Sequence, residues 1–207
     1  MNEVEKRVNE IVELDLMKLD IFDPNKDNWA AGWIFQVLNR HRRDKLEQFL
    51  GSKLNKFFNA PSSRSIDYSE LEKYLLEEKY EDADRFTSAS LRKLAGKSAE
   101  SRGYVYFSEV ENIPEEDLSS MDKLWIIFSQ GKFGFSIQSR ILKSVGGRYE
   151  LMWPKIGWKI EGVWTRYPNS FNWSLEAPDG HMPLVNQLRG IRLMDSLLKH
   201  PGVRSRT

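Results

Sequence analysis

The sequence predicts a mainly α-helical protein, and three observations support this prediction. Apolar residues recur at helical spacing through most of the segments that lie between proline and glycine breaks. Alternation of the kind expected for a strand is limited to Val105-Tyr106-Phe107, which is too short to build a sheet. The 207 residues, 40% hydrophobic and 29% charged, suffice for one buried core with a small satellite.

The N-terminal residues 1–60 are predicted to form a small helical unit. Apolar residues at helical spacing indicate helices over residues 3–19 and 44–58. Between them, Asn28 is placed to cap a helix that continues through Leu38. We expect this unit to serve packing and solubility rather than the docking of a partner, and residues 61–65 to form a linker after it.

Residues 66–207 are expected to form the main domain, which consists of helices separated by glycine and proline breaks. Proline is favoured in the first turn of a helix, and glycine is common just after the last. One short predicted helix follows Asp67. Four more are predicted from Tyr80 to Gly96, from a cap at Asp117 to Phe128, from Phe135 to Val145, and from Pro183 to the residue before Pro201.

Composition excludes several functional classes. The absence of cysteine rules out disulfides, thiolate nucleophiles and thiolate metal sites. With three histidines and no recognisable spacing of a nucleophile and a base, the chain is not expected to be an enzyme. Residues 131–207 hold 12 Lys and Arg against 5 Asp and Glu, a net charge of +7, whereas residues 1–130 carry −6. The positive C-terminal half is expected to attract anions.

The segment from Trp153 to Pro201 is rich in large rings and is broken by proline and glycine. Its rings are Trp153, Trp158, Trp164, Tyr167, Phe171 and Trp173. So many rings in an irregular segment favour a large, flat, apolar ligand over burial in a regular element. Aromatic rings interleaved with lysine and arginine are also typical of proteins that stack on single-stranded nucleic acid. The residues alone leave both possibilities open.

The predicted terminal helix has an apolar stripe and a second, mixed side. The stripe comprises Leu184, Leu188, Ile191, Met194 and Leu198. At about 100° per residue, Asn186, Arg189 and Leu193 fall opposite this stripe, and Arg192 lies on the flank. Because two arginines three residues apart repel each other mildly, they either bind a shared anion or remain solvated.

Several sequence blocks in the same order resemble one known family. Leu124–Gln138, Trp153–Trp158 and Ala177–Gly190 resemble the conserved blocks of the genomes-uncoupled-four proteins, which are porphyrin-binding accessory proteins of magnesium chelatase. Asp67–Leu71 and Ala83–Thr87 are similar to the opening helices of that family. The resemblance extends from about Ile66 to Pro201 and therefore includes nearly all of the predicted main domain.

The resemblance implies a helical tetrapyrrole-binding domain in which two loops cup the ligand beside the terminal helix. It implies that Arg189 and Arg192 pair with the propionates and that Asn186 lies near the macrocycle centre, where it meets a magnesium-bound water. The expected ligand contacts are Phe133, Tyr167, Phe171, Trp173, Asn186, Arg189, Arg192 and Leu193. Phe133 and Phe135 fit the core equally well, Trp125 and Trp158 are expected in the core, and His181 is expected to order a turn rather than ligate a metal.

The function implied by the resemblance is non-catalytic. It consists of binding protoporphyrin IX and Mg-protoporphyrin IX and stimulating magnesium chelatase, with the porphyrin-binding subunit of that enzyme as partner. A preference for bilins is an alternative within the resemblance. The tetrapyrrole would be held non-covalently, without a protein-bound metal or nucleic acid. No membrane span, import peptide or signal peptide is visible, which favours the plastid stroma or a cyanobacterial cytoplasm and leaves peripheral membrane association open.

Overall fold

The structure is a computed structural model, which describes residues 29–41, 43–44, 47, 60–184 and 191–204. Most of their regular structure is helical, so the predicted fold class is confirmed. The elements are α1 (Trp29–His41), α2 (Ser69–Leu76), α3 (Tyr80–Ala95), α4 (Lys97–Arg102), a 3₁₀ helix (Phe107–Asn112), α5 (Glu115–Ile127), α6 (Phe135–Ser144), α7 (Tyr149–Lys155), β1 (Lys159–Ile160), β2 (Val163–Trp164), α8 (Ile191–Lys199) and α9 (Pro201–Arg204).

Helix α1 confirms the helix predicted through Leu38 and packs against α2 and α5. Phe35 and Leu38 are buried in the same core as the rest of the domain. The buried Gln36 amide donates hydrogen bonds to the carbonyl oxygens of Leu75, at 3.0 Å, and Phe128, at 2.7 Å. The other predicted N-terminal helices, 3–19 and 44–58, lie wholly or largely outside the described residues.

The predicted linker is tied to α5 by hydrogen bonds. Ser120 donates to the Pro61 carbonyl at 2.7 Å, and the Ser63 amide donates to Asp117 at 3.1 Å. The predicted N-cap at Asp117 is wrong, because α5 begins at Glu115 with Pro114 in the cap position. The carboxylate of Asp117 instead accepts hydrogen bonds from the residues before α2, including one from the hydroxyl group of Tyr68. The division of the chain at 61–65 stays a prediction.

The core contains large buried aromatic side chains from α3, from α5 and from the segments that precede α6 and β1. Trp125 and Trp158 are fully buried, as the sequence predicts. The Trp125 indole N–H donates to the Thr87 hydroxyl at 3.0 Å, so that its polar atom is satisfied inside the core. Phe133 is also fully buried and meets the Tyr80 ring edge-to-face, with the ring centroids 5.6 Å apart.

Five short features were not anticipated from the sequence: α4, the 3₁₀ helix, α7, a two-stranded hairpin and α9. In the hairpin, Lys159 pairs with Trp164 and Ile160 with Val163 in antiparallel register. Its turn uses Glu161 and Gly162, both at positive φ. These elements contain between two and seven residues, a length at which apolar periodicity is weak.

The predicted start and apolar stripe of the terminal helix need correction. Pro183 and Leu184 are not helical, and the described part of the helix begins at Ile191. Ile191 is 50% exposed, whereas Leu193 is buried and packs in the core. The amide N–H of Leu184 donates a hydrogen bond to the buried Asp84. None of the described helices is long and apolar enough to cross a bilayer.

Candidate functional site

Arg192 and Phe107 lie together at the surface where α8 packs along the 3₁₀ helix. The guanidinium carbon of Arg192 is 5.5 Å from the centroid of the Phe107 ring, within the range of a cation–π contact. Phe107 is 46% exposed, and the neighbouring Ile191 is equally open. A positive charge therefore stands beside two exposed apolar side chains.

A small cavity of about 50 Å³ lies next to this surface, between α3, the chain after α4, and α8. Its apolar lining includes Leu184, Leu193 and Leu197. The predicted ligand contact Leu193 thus lines this small, partly open cavity, and only 5% of it is exposed. Arg192, the next residue before it, is exposed.

Two tyrosines that were not predicted as ligand contacts, Tyr104 and Tyr106, precede Phe107. The guanidinium of Arg102 lies over the rings of Tyr104 and Tyr106, at 4.5 and 4.1 Å from their centroids. Arg102 also pairs with Glu109 at 2.5 Å, and Glu109 accepts the amide N–H of Tyr106 at 2.8 Å. The arginine is thereby held in place, and Tyr106 remains 49% exposed next to Phe107.

The rings predicted in the loop after β2 form one contiguous cluster. The Tyr167 and Trp173 rings are 5.9 Å apart, and the Phe171 and Trp173 rings are 5.8 Å apart. Phe171 also contacts the His181 ring at 5.1 Å. Phe171 is 6% exposed and Trp173 is partly buried, whereas Tyr167 is 43% exposed. Of the three rings, Tyr167 therefore offers the most surface to a ligand in this conformation.

Helix α3 holds both ends of this loop through two adjacent residues. Asp84 accepts the Leu184 amide N–H at 2.6 Å, and Arg85 is hydrogen-bonded to the side chain of Tyr167. Asp84 is almost completely buried, and this desolvation raises its pKa to about 7, against the opposing effect of the Leu184 hydrogen bond. A carboxyl group that titrates near neutral pH thus contacts the end of the loop.

The last turn of the loop is fixed by α6 and by the residues that follow α7. The Gln138 amide donates to the carbonyl oxygens of Gly180, at 3.0 Å, and Pro183, at 2.8 Å. His181 Nδ1 lies 2.6 Å from the Ile156 carbonyl oxygen, and burial lowers the pKa of its imidazole. The Trp158 indole N–H donates to the His181 carbonyl at 2.8 Å. These bonds agree with the expected role of His181 in ordering the turn.

Comparison with known proteins identifies the family. The family model described as GUN4-like matches residues 61–201, more than half of the chain. The chain belongs to the GUN4-like family. It is 42% identical over 173 residues to a Ycf53-like protein of Synechocystis, a match that covers 83% of this chain and 74% of that protein.

Two further relatives of this GUN4-like chain carry informative names. The tetrapyrrole-binding protein of Arabidopsis thaliana chloroplasts is 38% identical over 141 residues, with 64% of this chain and 53% of that protein covered. The solved structure of GUN4 from Chlamydomonas reinhardtii is 36% identical and superposes with a TM-score of 0.65 over 69% of this chain and 93% of that one. The family resemblance expected from the sequence is therefore confirmed.

The GUN4-like fold brings only some of the predicted site residues to a surface. Arg192 and Tyr167 are exposed, whereas Phe133 is enclosed in the core. Asn186 and Arg189 lie outside the described residues, so their predicted roles are carried forward as proposals. Within the described ranges, no cluster of His, Cys, Asp and Glu is arranged to hold a metal ion.

Proposed function

We propose that this GUN4-like chain is a non-catalytic tetrapyrrole-binding protein. The observation that carries the proposal is the placement of the exposed Arg192 over the exposed Phe107 ring, beside Ile191 and the apolar cavity. The name of the Arabidopsis relative, a tetrapyrrole-binding protein, supports the same ligand class.

The chemistry of the surface matches that of the ligand. A protoporphyrin is a broad apolar disc with two propionates on one edge, so it needs apolar contact and a cation side by side. Guanidinium groups bind carboxylates bidentately, and Arg192 is exposed and available for one propionate. We propose that Arg189, three residues earlier in the sequence, binds the other propionate.

The macrocycle would lie on the open surface rather than inside the cavity. The cavity of about 50 Å³ is far smaller than the several hundred Å³ typical of a ligand pocket. Tyr106, Phe107 and Ile191 offer exposed apolar area beside it, and Tyr167 offers more from the loop after β2. Burial of apolar surface contributes about 25 cal/mol per Å², so a few hundred Å² yields several kcal/mol before the cost of association.

The proposed ligands are protoporphyrin IX and Mg-protoporphyrin IX. An asparagine amide oxygen is a hard, neutral group that suits a magnesium-bound water better than haem iron. We propose Asn186 for this role because the resemblance to the family implies that it lies near the macrocycle centre. Ligand release is expected to be rapid because the surface is open, which suits a protein that passes its ligand on.

The proposed biological role is stimulation of magnesium chelatase by delivering its substrate or removing its product. The partner would be the porphyrin-binding subunit of that enzyme. Relatives in a cyanobacterium and in chloroplasts support a location in the plastid stroma or the cyanobacterial cytoplasm. A positive net charge of +7 in residues 131–207 would favour the approach of an acidic ligand or partner surface.

The test is a titration followed by absorbance in the Soret region, with protoporphyrin IX, its magnesium form, haem and a bilin. Arg192→Glu is expected to weaken porphyrin binding about tenfold, since one charge-assisted pair is lost and a repulsive charge is gained. Arg140→Glu is the matched control, because it makes the same change at an exposed site on α6. Unchanged affinity in Arg192→Glu would remove this arginine from the site.

The same panel distinguishes the alternatives. A bilin that binds more tightly than either porphyrin would make the chain a bilin-preferring member of the family. Binding of a single-stranded oligonucleotide at moderate salt, without any porphyrin binding, would favour the nucleic-acid function instead. The chelatase role is tested separately, by the rate of magnesium insertion with and without the added chain.

A further inference from the structure

Asp84 makes a contact across the fold that its position in the sequence does not suggest. Its Oδ1 accepts the amide N–H of Leu184 at 2.6 Å, although the two residues are 100 positions apart. Only 3% of Asp84 is exposed, so its carboxyl group lies within the protein and faces the loop rather than solvent. Burial of an acidic group at this depth is costly and needs a compensating hydrogen bond.

Leu184 connects Asp84 with the candidate site, because it is hydrogen-bonded to Asp84 and also lines the cavity beside that site. Its side chain lines the apolar cavity together with Leu193 and Leu197 of α8. In the sequence it stands two residues before Asn186 and five before Arg189. The bond from Asp84 therefore fixes the backbone at the end of the loop, where the Leu184 side chain meets α8 at the cavity.

We infer that Asp84 is a positioning residue for tetrapyrrole binding, whose ionised carboxylate holds Leu184 in the arrangement that binds the ligand. This inference rests on the proposed function of the site. Asp84 does not touch the ligand and acts through the Leu184 backbone. Ligand affinity then depends on whether Asp84 carries its charge, because a charged acceptor binds an N–H more strongly than a neutral one.

The surroundings of Asp84 place its titration in the physiological range. Desolvation raises its pKa to about 7, and Glu81 adds to the increase, while the Leu184 hydrogen bond and Arg85 oppose it. From the loop, Tyr167 faces the same carboxyl group and is itself bonded to Arg85. As the pH rises through about 7, the ionised form of Asp84 becomes dominant and its hydrogen bond with the Leu184 amide strengthens.

The experiment measures protoporphyrin affinity from about pH 6 to about pH 8.5 for the unmodified chain and for Asp84→Asn. Asparagine keeps the shape and the acceptor oxygen but cannot ionise. The unmodified chain is expected to bind about fivefold more tightly at the upper end than at the lower end, and Asp84→Asn to lack this gain. Asp82→Asn is the matched control, since it removes a half-exposed carboxylate from the same helix.

A second measurement uses the unmodified chain and does not depend on a variant. If binding favours ionised Asp84, calorimetry near pH 7 in buffers of different ionisation heat will show that part of a proton is released for each ligand bound. The inference is overturned if the protoporphyrin affinities of the unmodified chain and of Asp84→Asn change with pH in parallel, or if binding releases no proton. If the unmodified chain binds no tetrapyrrole at any pH, the proposed function fails first and the inference falls with it.

Discussion

The hydroxyl group of Tyr68 donates a hydrogen bond to the buried Oδ1 of Asp117 at 2.8 Å. The same carboxylate accepts the hydroxyl of Ser62 and, at 3.1 Å, the amide of Ser63. One side chain in the first turn of α5 thus fixes the residues that immediately precede α2. Burial and this acidic neighbour raise the pKa of Tyr68, so the tyrosine stays protonated and can donate.

Asp117→Ala should destabilise the protein by about 3 kcal/mol, because it leaves the buried Tyr68 hydroxyl and two part-buried donors without this acceptor. The measurement is urea denaturation followed by circular dichroism. Glu116→Ala is the matched control, since Glu116 is exposed and accepts only the hydroxyl of Ser63, at 2.7 Å. Equal effects of the two substitutions would show that the Asp117 network does not contribute to stability.

Gly32→Ala should weaken the packing of α1 on α5. A Cβ atom at this position would lie 2.3 Å from the carbonyl oxygen of Ile127, a backbone atom that cannot rotate away. We expect a loss of about 2 kcal/mol, measured by thermal unfolding, together with faster hydrogen exchange in α1. Ala30→Ser, at an exposed position of the same helix, is the control. Normal stability with unchanged exchange would contradict the close contact.

The buried carboxyl groups of Glu72 and Asp84 should make stability fall as the pH rises from about 5 to about 8. Burial raises the pKa of Glu72 to about 8 and that of Asp84 to about 7, so these two groups bind more protons in the folded chain than in the unfolded chain in this range. The stabilising contribution is therefore present at low pH and is lost as the pH passes these values. Glu72→Gln should flatten the profile, whereas the exposed Glu70→Gln should not. Denaturation at a series of pH values provides the measurement, and an unchanged slope in Glu72→Gln would refute the assignment.

Phe107→Ala should weaken protoporphyrin binding about tenfold, because an exposed ring would no longer cover part of the macrocycle. The measurement is the same absorbance titration used for Arg192→Glu. Trp33→Ala serves as the control, since it removes an exposed ring from α1. If both variants bind like the unmodified chain, the ligand surface does not include the start of the 3₁₀ helix.

The sequence predicted the long helices and the family because these depend on local patterns. The helices predicted from a cap at Asn28 through Leu38 and from Tyr80 to Gly96 appear in the structure as α1 and α3. The cap at Asp117 was predicted wrongly for the same reason. Local spacing favours a cap there, but the partner Tyr68 lies 49 residues away and cannot be seen in the pattern.

The candidate site was only partly predictable. The loop rings and Arg192 lie within the range from about Ile66 to Pro201 over which the sequence resembles the family. Phe107, in contrast, begins a short 3₁₀ helix that has no periodicity, and Tyr106 directly precedes that helix. The alternation of Arg102, Tyr104 and Tyr106 was the available signal, because side chains two apart in an extended segment share a face. The helix start at Pro183 failed because the bonds that hold this turn come from Asp84 and Gln138.

The stacking of Trp153 on Trp158, with ring centroids 5.5 Å apart and planes inclined by 7°, has an optical consequence. Trp164 lies 5.6 Å from Trp153, so three indoles are close enough to exchange excitation energy efficiently. Light absorbed by any of them is shared before it is emitted, and their fluorescence reports on the group as a whole. Replacing one of the three indoles will therefore change the emission of the other two, and single-tryptophan quenching data from this region cannot be assigned to one ring.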